Sequence, residues 1–505
     1  MRLSLIPFQT HCSTDKSEKC QGLNPGLLDR KPGTLTTRLQ RRLTLGLLSF
    51  ATGTVVGWSS PILPSLQSDY SPIGSPPITK ESASWIGSSM CFGAFIGVPI
   101  YNYICNNYSR KLSGYLSAVP LVPSWLLVTF ANSEVMLYIA RFIAGLTLAA
   151  GGVFHPLYVA EISEDCVRGR LSASMMLMYN IGIVFFYLVG WYLPYTTTGY
   201  IGLTIVIIYL LVFTYVPETP YYLMSQGKIL EAMNTLEWLR GNNNPTIEGE
   251  FESLSKRLKD VKANKSASLK DLFATRGSRK ALMIGIGIIA NSQLCGYFVV
   301  LVYSVNIFQE AESTMTPNSA TILVGLLQLV GSSVSTFTVD HAGRRTLLIL
   351  SNAFSAICLG VIGTYSYLKQ SRDMREWGWI PVVCLSMFIV SNALGVSPLR
   401  FLIISEIFSI RTRGMANTVC ICVMWVLIFL VTKFFVNISN LIGLHGCYWL
   451  FSLCCVLGWL FCYFFVPETK NRTLESILKE LNGDSIVADL PRRKSFEDKQ
   501  EQALI

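Results

Sequence analysis

The sequence predicts an all-α membrane protein, with about twelve transmembrane helices arranged as two six-helix bundles. Three observations carry this. Of 505 residues, 51% are hydrophobic and only 14% charged, and the mean hydropathy of +0.44 lies outside the range of ordinary soluble proteins. About twelve apolar runs reach roughly 20 residues, enough to cross a hydrocarbon core of about 30 Å. Without water the backbone must satisfy itself, so these runs are helices, and they are too long and continuous for the alternating strands of a barrel. The third observation is an internal repeat. Glu161, followed by Arg168-Gly169, returns as Glu406 followed by Arg413-Gly414, and Pro217-Glu218-Thr219 returns as Pro467-Glu468-Thr469. The stretch from Asn106 to Lys111 is echoed from Asp340 to Arg345. Three pairs at a common spacing of about 240 residues make two copies of one half.

The net charge of +10 would suit nucleic acid, but its distribution points elsewhere. Arg38, Arg41, Arg42, Arg110, Lys111, Arg168, Arg170, Arg344, Arg345, Arg411 and Arg413 fall, with a basic central loop, on one side of the predicted membrane. The other side is poor in Lys and Arg apart from Lys369, Arg372 and Arg375. This positive-inside pattern makes the lipid bilayer the partner, excludes nucleic acid, and predicts both termini and the central loop on the cytoplasmic side of a multi-pass membrane protein. The 14 cysteines lack disulfide spacing, and most, such as Cys295, Cys384, Cys420, Cys422, Cys454 and Cys455, sit inside apolar runs as small buried residues. No cleavable signal is visible, so the first span is expected to act as an uncleaved anchor.

Taken in order, residues 1–40 are polar and read as a cytoplasmic tail, and residues 41–217 form the first bundle. The first span, near 43–63, carries Gly46, Gly53 and Gly57 on one side, suited to close helix packing, and has no Asp or Glu. The second, near 82–105, opens with Trp85 at the interface. The third runs near 112–130. The fourth, near 133–159, holds Arg141 about 12 Å from its start, followed by Gly145, Gly151 and Gly152. The fifth, near 171–193, holds Asn180, and the sixth, near 199–216, ends at the first Pro-Glu-Thr. Residues 218–280 form a cytoplasmic helical loop, with Ile229, Met233, Leu236 and Leu239 spaced as one face that packs on the bundles. The second bundle is 281–466. Its seventh span has Asn291, Ser292, Gln293 and Gly296, the eighth Gln328, the tenth Gly395, Pro398 and Arg400, and the eleventh Trp425 and Lys433. Residues 467–505 form a charged cytoplasmic tail in which Ser495, after Arg492-Arg493-Lys494, could accept a phosphate. Asn437-Ile438-Ser439 fits a glycosylation pattern but abuts the eleventh span, so it is expected to go unused.

No catalytic constellation emerges, so no enzyme, metal or cofactor is expected: the four His are scattered and no phosphate-binding Gly-loop is present. The chemistry-bearing residues are amides within spans: Asn180, Asn291, Gln293 and Gln328. One buried amide joins helices; several on different helices line a water-filled path. Amides donate and accept at once, which suits a neutral, hydroxyl-rich ligand, and Phe298, Phe401 and Trp425 offer faces on which an apolar ring face would stack. Glu161, Glu218, Glu406 and Glu468 stand at helix ends beside Arg110, Arg168, Arg344, Arg345 and Arg413, with Asp340 in the repeated loop. They are expected to form ion pairs across the two bundles that lock the cytoplasmic gate. Arg141 and Arg400 are charges within spans and functional candidates for that reason, with snorkelling to water the alternative for Arg400.

From about 41 to 480 the chain resembles the sugar porters of the major facilitator superfamily, and within them the facilitated trehalose transporter group of insects. Asp340, Gly343, Arg344 and Arg345 fit the family's Asp-Arg-X-Gly-Arg-Arg loop, with His341 in place of the first Arg. Arg141 fits the Gly-Arg of the fourth span, and Pro156, Tyr158, Glu161, Arg168 and Gly169 the signature after it. Pro217-Glu218-Thr219-Pro220 fits the sixth-span exit, and Pro467-Glu468-Thr469-Lys470 with Thr473-Leu474-Glu475 the C-terminal motif. Asn180-Ile181-Gly182, Gln328, Val431-Thr432-Lys433 and His445-Gly446 are similar to the trehalose-type members. There are departures. The first-half loop lacks the usual acid and Gly, the seventh-span Gln-Gln pair is Ser292-Gln293, its Ser is Cys295, and its sugar-binding Asn is Phe298. The tenth-span Gly-Pro-X-Pro-Trp is Ser397-Pro398-Leu399-Arg400-Phe401, and the Asn before Trp425 is Met424.

The resemblance implies a facilitative sugar transporter working by alternating access, with trehalose or a hexose as the small-molecule substrate. Proton-coupled relatives place a carboxylate in the first span facing the fourth-span Arg; this chain has none, so no proton coupling is expected. The substrate-binding candidates are Asn180, Gln293, Phe298, Gln328, Arg400, Phe401 and Trp425. The altered pocket leaves two alternatives: a sugar sensor that transports poorly, and a carrier of another small polar solute or of an organic anion drawn to Arg400.

Overall fold

The computed structural model describes residues 32–74, 76–163, 165–240, 246–263, 270–409, 412–470, 472 and 474–482. Ten of the described helices are long and apolar enough to cross a membrane. The last of these, Arg413–Phe465, turns at Gly443 (φ 75°) and supplies two spans, the eleventh and twelfth. The first span, Pro32–Gly57 continuing into Ser59–Leu66, completes a set of twelve. In the first half the others are Lys80–Asn107, Arg110–Ala118 with Leu121–Thr129, Glu134–Ile162, Asp165–Tyr192 and Tyr195–Phe213. In the second half they are Arg276–Leu294 with Tyr297–Ala311, Pro317–Ala342, Arg344–Leu368 and Ile380–Leu394 with Val396–Ile407.

Two breaks position the site. The seventh span opens at Gly296, whose φ of 80° is a left-handed conformation that residues with a Cβ rarely adopt. The tenth opens at Gly395 (φ −114°, ψ −80°), where Ser351 of the ninth span packs so closely that a Cβ would collide with it. Elsewhere small residues let helices cross at backbone distance. A methyl group on Gly53 would run into the Tyr179 carbonyl of the fifth span, and one on Gly145 into the Met90 carbonyl of the second.

The halves meet along two seams, the second span against the eleventh and the fifth against the eighth. At the end away from the repeated motifs the seventh span also leans on the end of the first. There Val305 N donates to Ser60 Oγ (3.2 Å), Asn306 Nδ2 to Gln67 Oε1 (3.0 Å) and Lys433 Nζ to Ser84 Oγ (2.8 Å). Trp85 and Phe92 of the second span pack on Phe429 of the eleventh, with ring centroids 6.3 and 5.7 Å apart. This end is therefore closed by contacts between the halves. Asn437, in the glycosylation pattern, is exposed but lies within the Arg413–Phe465 helix.

The central loop forms helices Pro220–Ser225, Ile229–Arg240, Thr246–Ala263 and Asp271–Ala274. Its packed face differs from the expected one. Ile229 is 60% exposed, and the buried stripe is Ala232, Thr235, Leu236 and Leu239. The reason is Arg240, which donates to the Ile162 carbonyl at the end of the fourth span (Nη1, 3.0 Å) and pairs with Glu250. That anchor sets the helix rotation, and the stripe follows the i, i+3, i+4, i+7 spacing from Ala232. Ser495 lies outside the described residues.

Candidate functional site

The break in the seventh span is where polar side chains from several helices converge. Gln293 Nε2 donates to Ser292 Oγ (2.9 Å), and Arg400 Nη1 of the tenth span reaches the same oxygen at 3.5 Å. Asn392 Nδ2, also of the tenth span, lies 3.5 Å from Cys295 Sγ. One residue past Gly296, the Tyr297 hydroxyl accepts from Gln328 Nε2 of the eighth span (3.0 Å). Phe298 meets the edge of Trp425 from the eleventh span, with ring centroids 6.4 Å apart.

Gln328 carries the network across the seam. Its Nε2 donates to Asn180 Oδ1 of the fifth span (2.9 Å), and Asn180 Nδ2 donates to Ser332 Oγ of the eighth (2.7 Å). Gln328 and Asn180 are each 1% exposed. Yet Gln328 Oε1, Trp425 Nε1 and Arg400 Nε are buried without a hydrogen-bond partner. A buried polar group left unpaired costs about 1–3 kcal/mol. These atoms comprise both donors and acceptors, the complement a hydroxyl-rich ligand needs.

The candidate residues behave differently from one another. Asn180, Gln293, Phe298, Gln328 and Trp425 are buried around the break. Phe401 is 38% exposed, and the Arg400 guanidinium sits 4.9 Å from its ring centroid. Arg400 turns toward Ser292 rather than to the charged cluster around Glu406. Asn291 is separate: it packs where Gly458 of the twelfth span leaves room, and both its amide atoms lack partners. Tyr297 and Ser332 escaped the sequence reading, and Ser292 was noted in the seventh span but not among the binding candidates. Tyr297 could have been found from its place beside Gly296 in an amide-rich span.

Arg141 lies apart, 2% exposed. Nη1 donates to the Val55 carbonyl (2.7 Å) and Nη2 to Ser59 Oγ (2.6 Å), both in the first span, while Met90 Sδ is 2.8 Å from Nη2 and the Trp58 ring 5.1 Å from Cζ. Carbonyl, hydroxyl, sulfur and aromatic face surround it, and no ion pair joins it to a carboxylate among the described residues.

At the end that carries the repeated motifs the repeat becomes one structure built twice. Glu218 accepts from the backbone N–H of Arg110 and Lys111 (3.0 and 3.1 Å), and Glu468 from those of Arg344 and Arg345 (3.0 and 3.1 Å). Each carboxylate thus caps the N-terminus of the third or ninth span, where the helix dipole favours negative charge. Burial pushes the Glu468 carboxyl up, but N–H donors from Lys470, Arg344, Arg345 and Thr469 outweigh it and hold the group below the ordinary carboxylate range. Arg110 pairs with Glu161 (2.9 Å) and Arg344 with Glu406 (3.6 Å). Arg345 lies over the Tyr463 ring, and Arg413 Nη2 donates to the Phe408 carbonyl (3.4 Å). The expected pairs across the bundles are therefore corrected: these described pairs each stay within one half. The cause is local, because the Pro-Glu-Thr carboxylates are held by helix N-termini of their own half. The side chains of Arg168 and Asp340 lie outside the described residues.

The model of the sugar (and other) transporter family matches residues 45–481. The chain is 32% identical to the facilitated trehalose transporter Tret1 of Bombyx mori over 486 residues, covering 95% of each. It is 31% identical to the Tret1 of Aedes aegypti over 483 residues, covering 95% of this chain and 59% of that one. It thus spans little more than half the length of several relatives it matches. Among solved structures it resembles the xylose transporter XylE of E. coli in its inward open conformation, with a TM-score of 0.70 at 22% identity over 87% of this chain and 98% of that one. A structure described as the major facilitator superfamily proton:xylose symporter XylE gives 0.67, also at 22%, over 86% and 98%. With the family model matched over nearly the whole chain, the protein belongs to the sugar (and other) transporter family and has the major facilitator fold.

Proposed function

We propose that this protein is a facilitative sugar transporter of the plasma membrane, with trehalose or a hexose as substrate and both termini in the cytoplasm. Its relatives include proteins named as facilitated trehalose transporters, and the polar break in the seventh span supplies donors and acceptors for hydroxyls. The observation that carries the facilitative reading is Arg141. Its guanidinium is held by Val55 O and Ser59 Oγ, and the first span it faces has no Asp or Glu to take up a proton. Without a titrating carboxylate beside that cation, there is nothing at this position to link a proton to the sugar. The cytoplasmic capping clusters keep each half rigid while the outer seal and the inner ends alternate. Arg168, Asp340, Arg345 and Arg413 belong to this inner surface in the proposal.

The test is uptake of labelled trehalose and glucose into liposomes carrying the purified protein. Saturable uptake of either sugar supports the reading and chooses between disaccharide and hexose. Folded protein that moves neither would refute it.

A further inference from the structure

Two arginines lie within spans, and their surroundings differ. Arg141 is lodged among a carbonyl, a hydroxyl, a sulfur and an aromatic face, with two short hydrogen bonds. Both of its terminal nitrogens are held by the protein at short distance, and only its Nε lacks a partner. Among the described residues Arg400 has one long hydrogen bond, 3.5 Å to Ser292 Oγ, and its Nε too is buried without a partner. A guanidinium has five N–H donors, so most of its capacity is unused by the protein. A charge within a span is costly and persists where a partner or a function compensates it.

Among the described residues, the groups that face Arg400 carry no formal negative charge. They are Ser292, Tyr297 and Cys295 of the seventh span, Tyr179 of the fifth, and its own neighbour Phe401. Nor does its charge escape to the cytoplasm. It stands about 10 Å up the helix from Ile407, and its side chain turns to the central break instead. The two helix breaks do not supply a counter-charge. At each, a helix C-terminus meets a helix N-terminus, so their partial charges of opposite sign largely cancel. The sign at the centre of the protein is therefore set by Arg400.

We infer that this transporter also accepts a sugar that carries an acidic group, a carboxylate or a phosphate, which Arg400 holds beside Ser292 and Tyr297. The inference rests on the sugar-transport reading and extends its substrate class. An anionic oxygen makes shorter and roughly twofold stronger bonds to a guanidinium than a neutral hydroxyl does, and it can be held at two points. The remaining hydroxyls of such a ligand meet Gln328 Oε1 and the amides around the break.

The experiment uses the full chain in liposomes and in detergent. Uptake of labelled glucose and trehalose is measured alone and against D-glucuronate and glucose 6-phosphate, each anion is also tested as a labelled substrate, and binding of each anion is read by the shift in thermal melting. The wild type is compared with Arg400→Gln and with Arg400→Lys, which keeps the charge. The expected result is transport of, or competition by, at least one anion, weakened about tenfold or more in Arg400→Gln and retained in part by Arg400→Lys. Glucuronate acting alone identifies a carboxylate site and glucose 6-phosphate alone a phosphate site. Neutral-sugar flux that neither anion inhibits, with no anion flux and no anion binding, overturns the inference and leaves the facilitator standing. Anion binding that depends on Arg400 without flux of any solute supports the inference and overturns the facilitator. Neither flux nor binding overturns both.

Discussion

Lys433 is the strongest single contact in the outer seal, and its removal should open the protein outward. It belongs to the second half and is 8% exposed, yet all its partners are on the second span of the first half. Nζ donates to Ser84 Oγ at 2.8 Å and lies 4.1 Å from the Trp85 ring centroid. Glu81 Oε1 is 3.9 Å away, but that side chain is 74% exposed, so the ion pair adds little. The charged hydrogen bond contributes about 1.5–3 kcal/mol and the cation over the ring about 0.5–1 kcal/mol, offset in part by desolvation of the ammonium. A net value of about 2 kcal/mol favours the closed outer end by roughly 30-fold. Lys433→Met keeps the side-chain length and removes the charge. The reporter is Ala83→Cys, at a position 2% exposed beside the seal, labelled from outside by a membrane-impermeant maleimide. The parent protein with its 14 cysteines sets the background. Lys433→Met should raise the labelling rate at least about tenfold. An unchanged rate in a folded variant would refute the latch.

Three further substitutions test other parts of the structure. Glu468→Gln should lower the stability of the second half by about 1–2 kcal/mol, because four backbone donors lose a charged acceptor; thermal melting of the purified protein checks it. Since the Glu468 carboxyl is held below its ordinary range, its contribution is present above the unfolded value of about 4.3 and is lost as pH falls through the folded pKa; Glu468→Gln should flatten that acid limb of the melting curve. Gly145→Ala should cost about 1–3 kcal/mol or prevent assembly, because its methyl group meets the Met90 carbonyl, and gel filtration of the expressed protein would show aggregation. Gln293→Ala should weaken sugar affinity while surface expression stays intact, since among the described residues Gln293 Nε2 bonds Ser292 Oγ alone; equal loss of both would make it a packing residue.

Much of the fold was legible because membranes impose it. Apolar runs of about 20 residues have one solution, and the duplicated Glu161 and Glu406 motifs revealed two halves. What the sequence hid is pairing over distance. Lys433 and Ser84 are 349 residues apart, and Gln328 and Asn180 148 apart. Periodicity reports which face of a helix is apolar, not which helix lies opposite. The same limit explains the ion pairs. Glu218 and Glu468 were recognised as repeated acids, but their role as caps depends on the third and ninth spans starting where they do. The Ile229 face failed for a related reason, since Arg240 finds its partners at Ile162 and Glu250. Of the site, the amides and aromatics were readable from their presence in apolar runs. Tyr297 and Ser332 entered only once the break at Gly296 brought them to those amides.

The central claim is sugar movement without a proton, and its most direct test is the steady-state ratio of internal to external sugar. Liposomes carrying the protein are loaded to be alkaline inside, given the labelled sugar that the uptake assay selects, and followed to steady state with and without a protonophore. For a neutral sugar, the absence of an acid beside Arg141 predicts a ratio of about one, unchanged by the protonophore. Accumulation well above one that collapses when the protonophore is added would contradict the account.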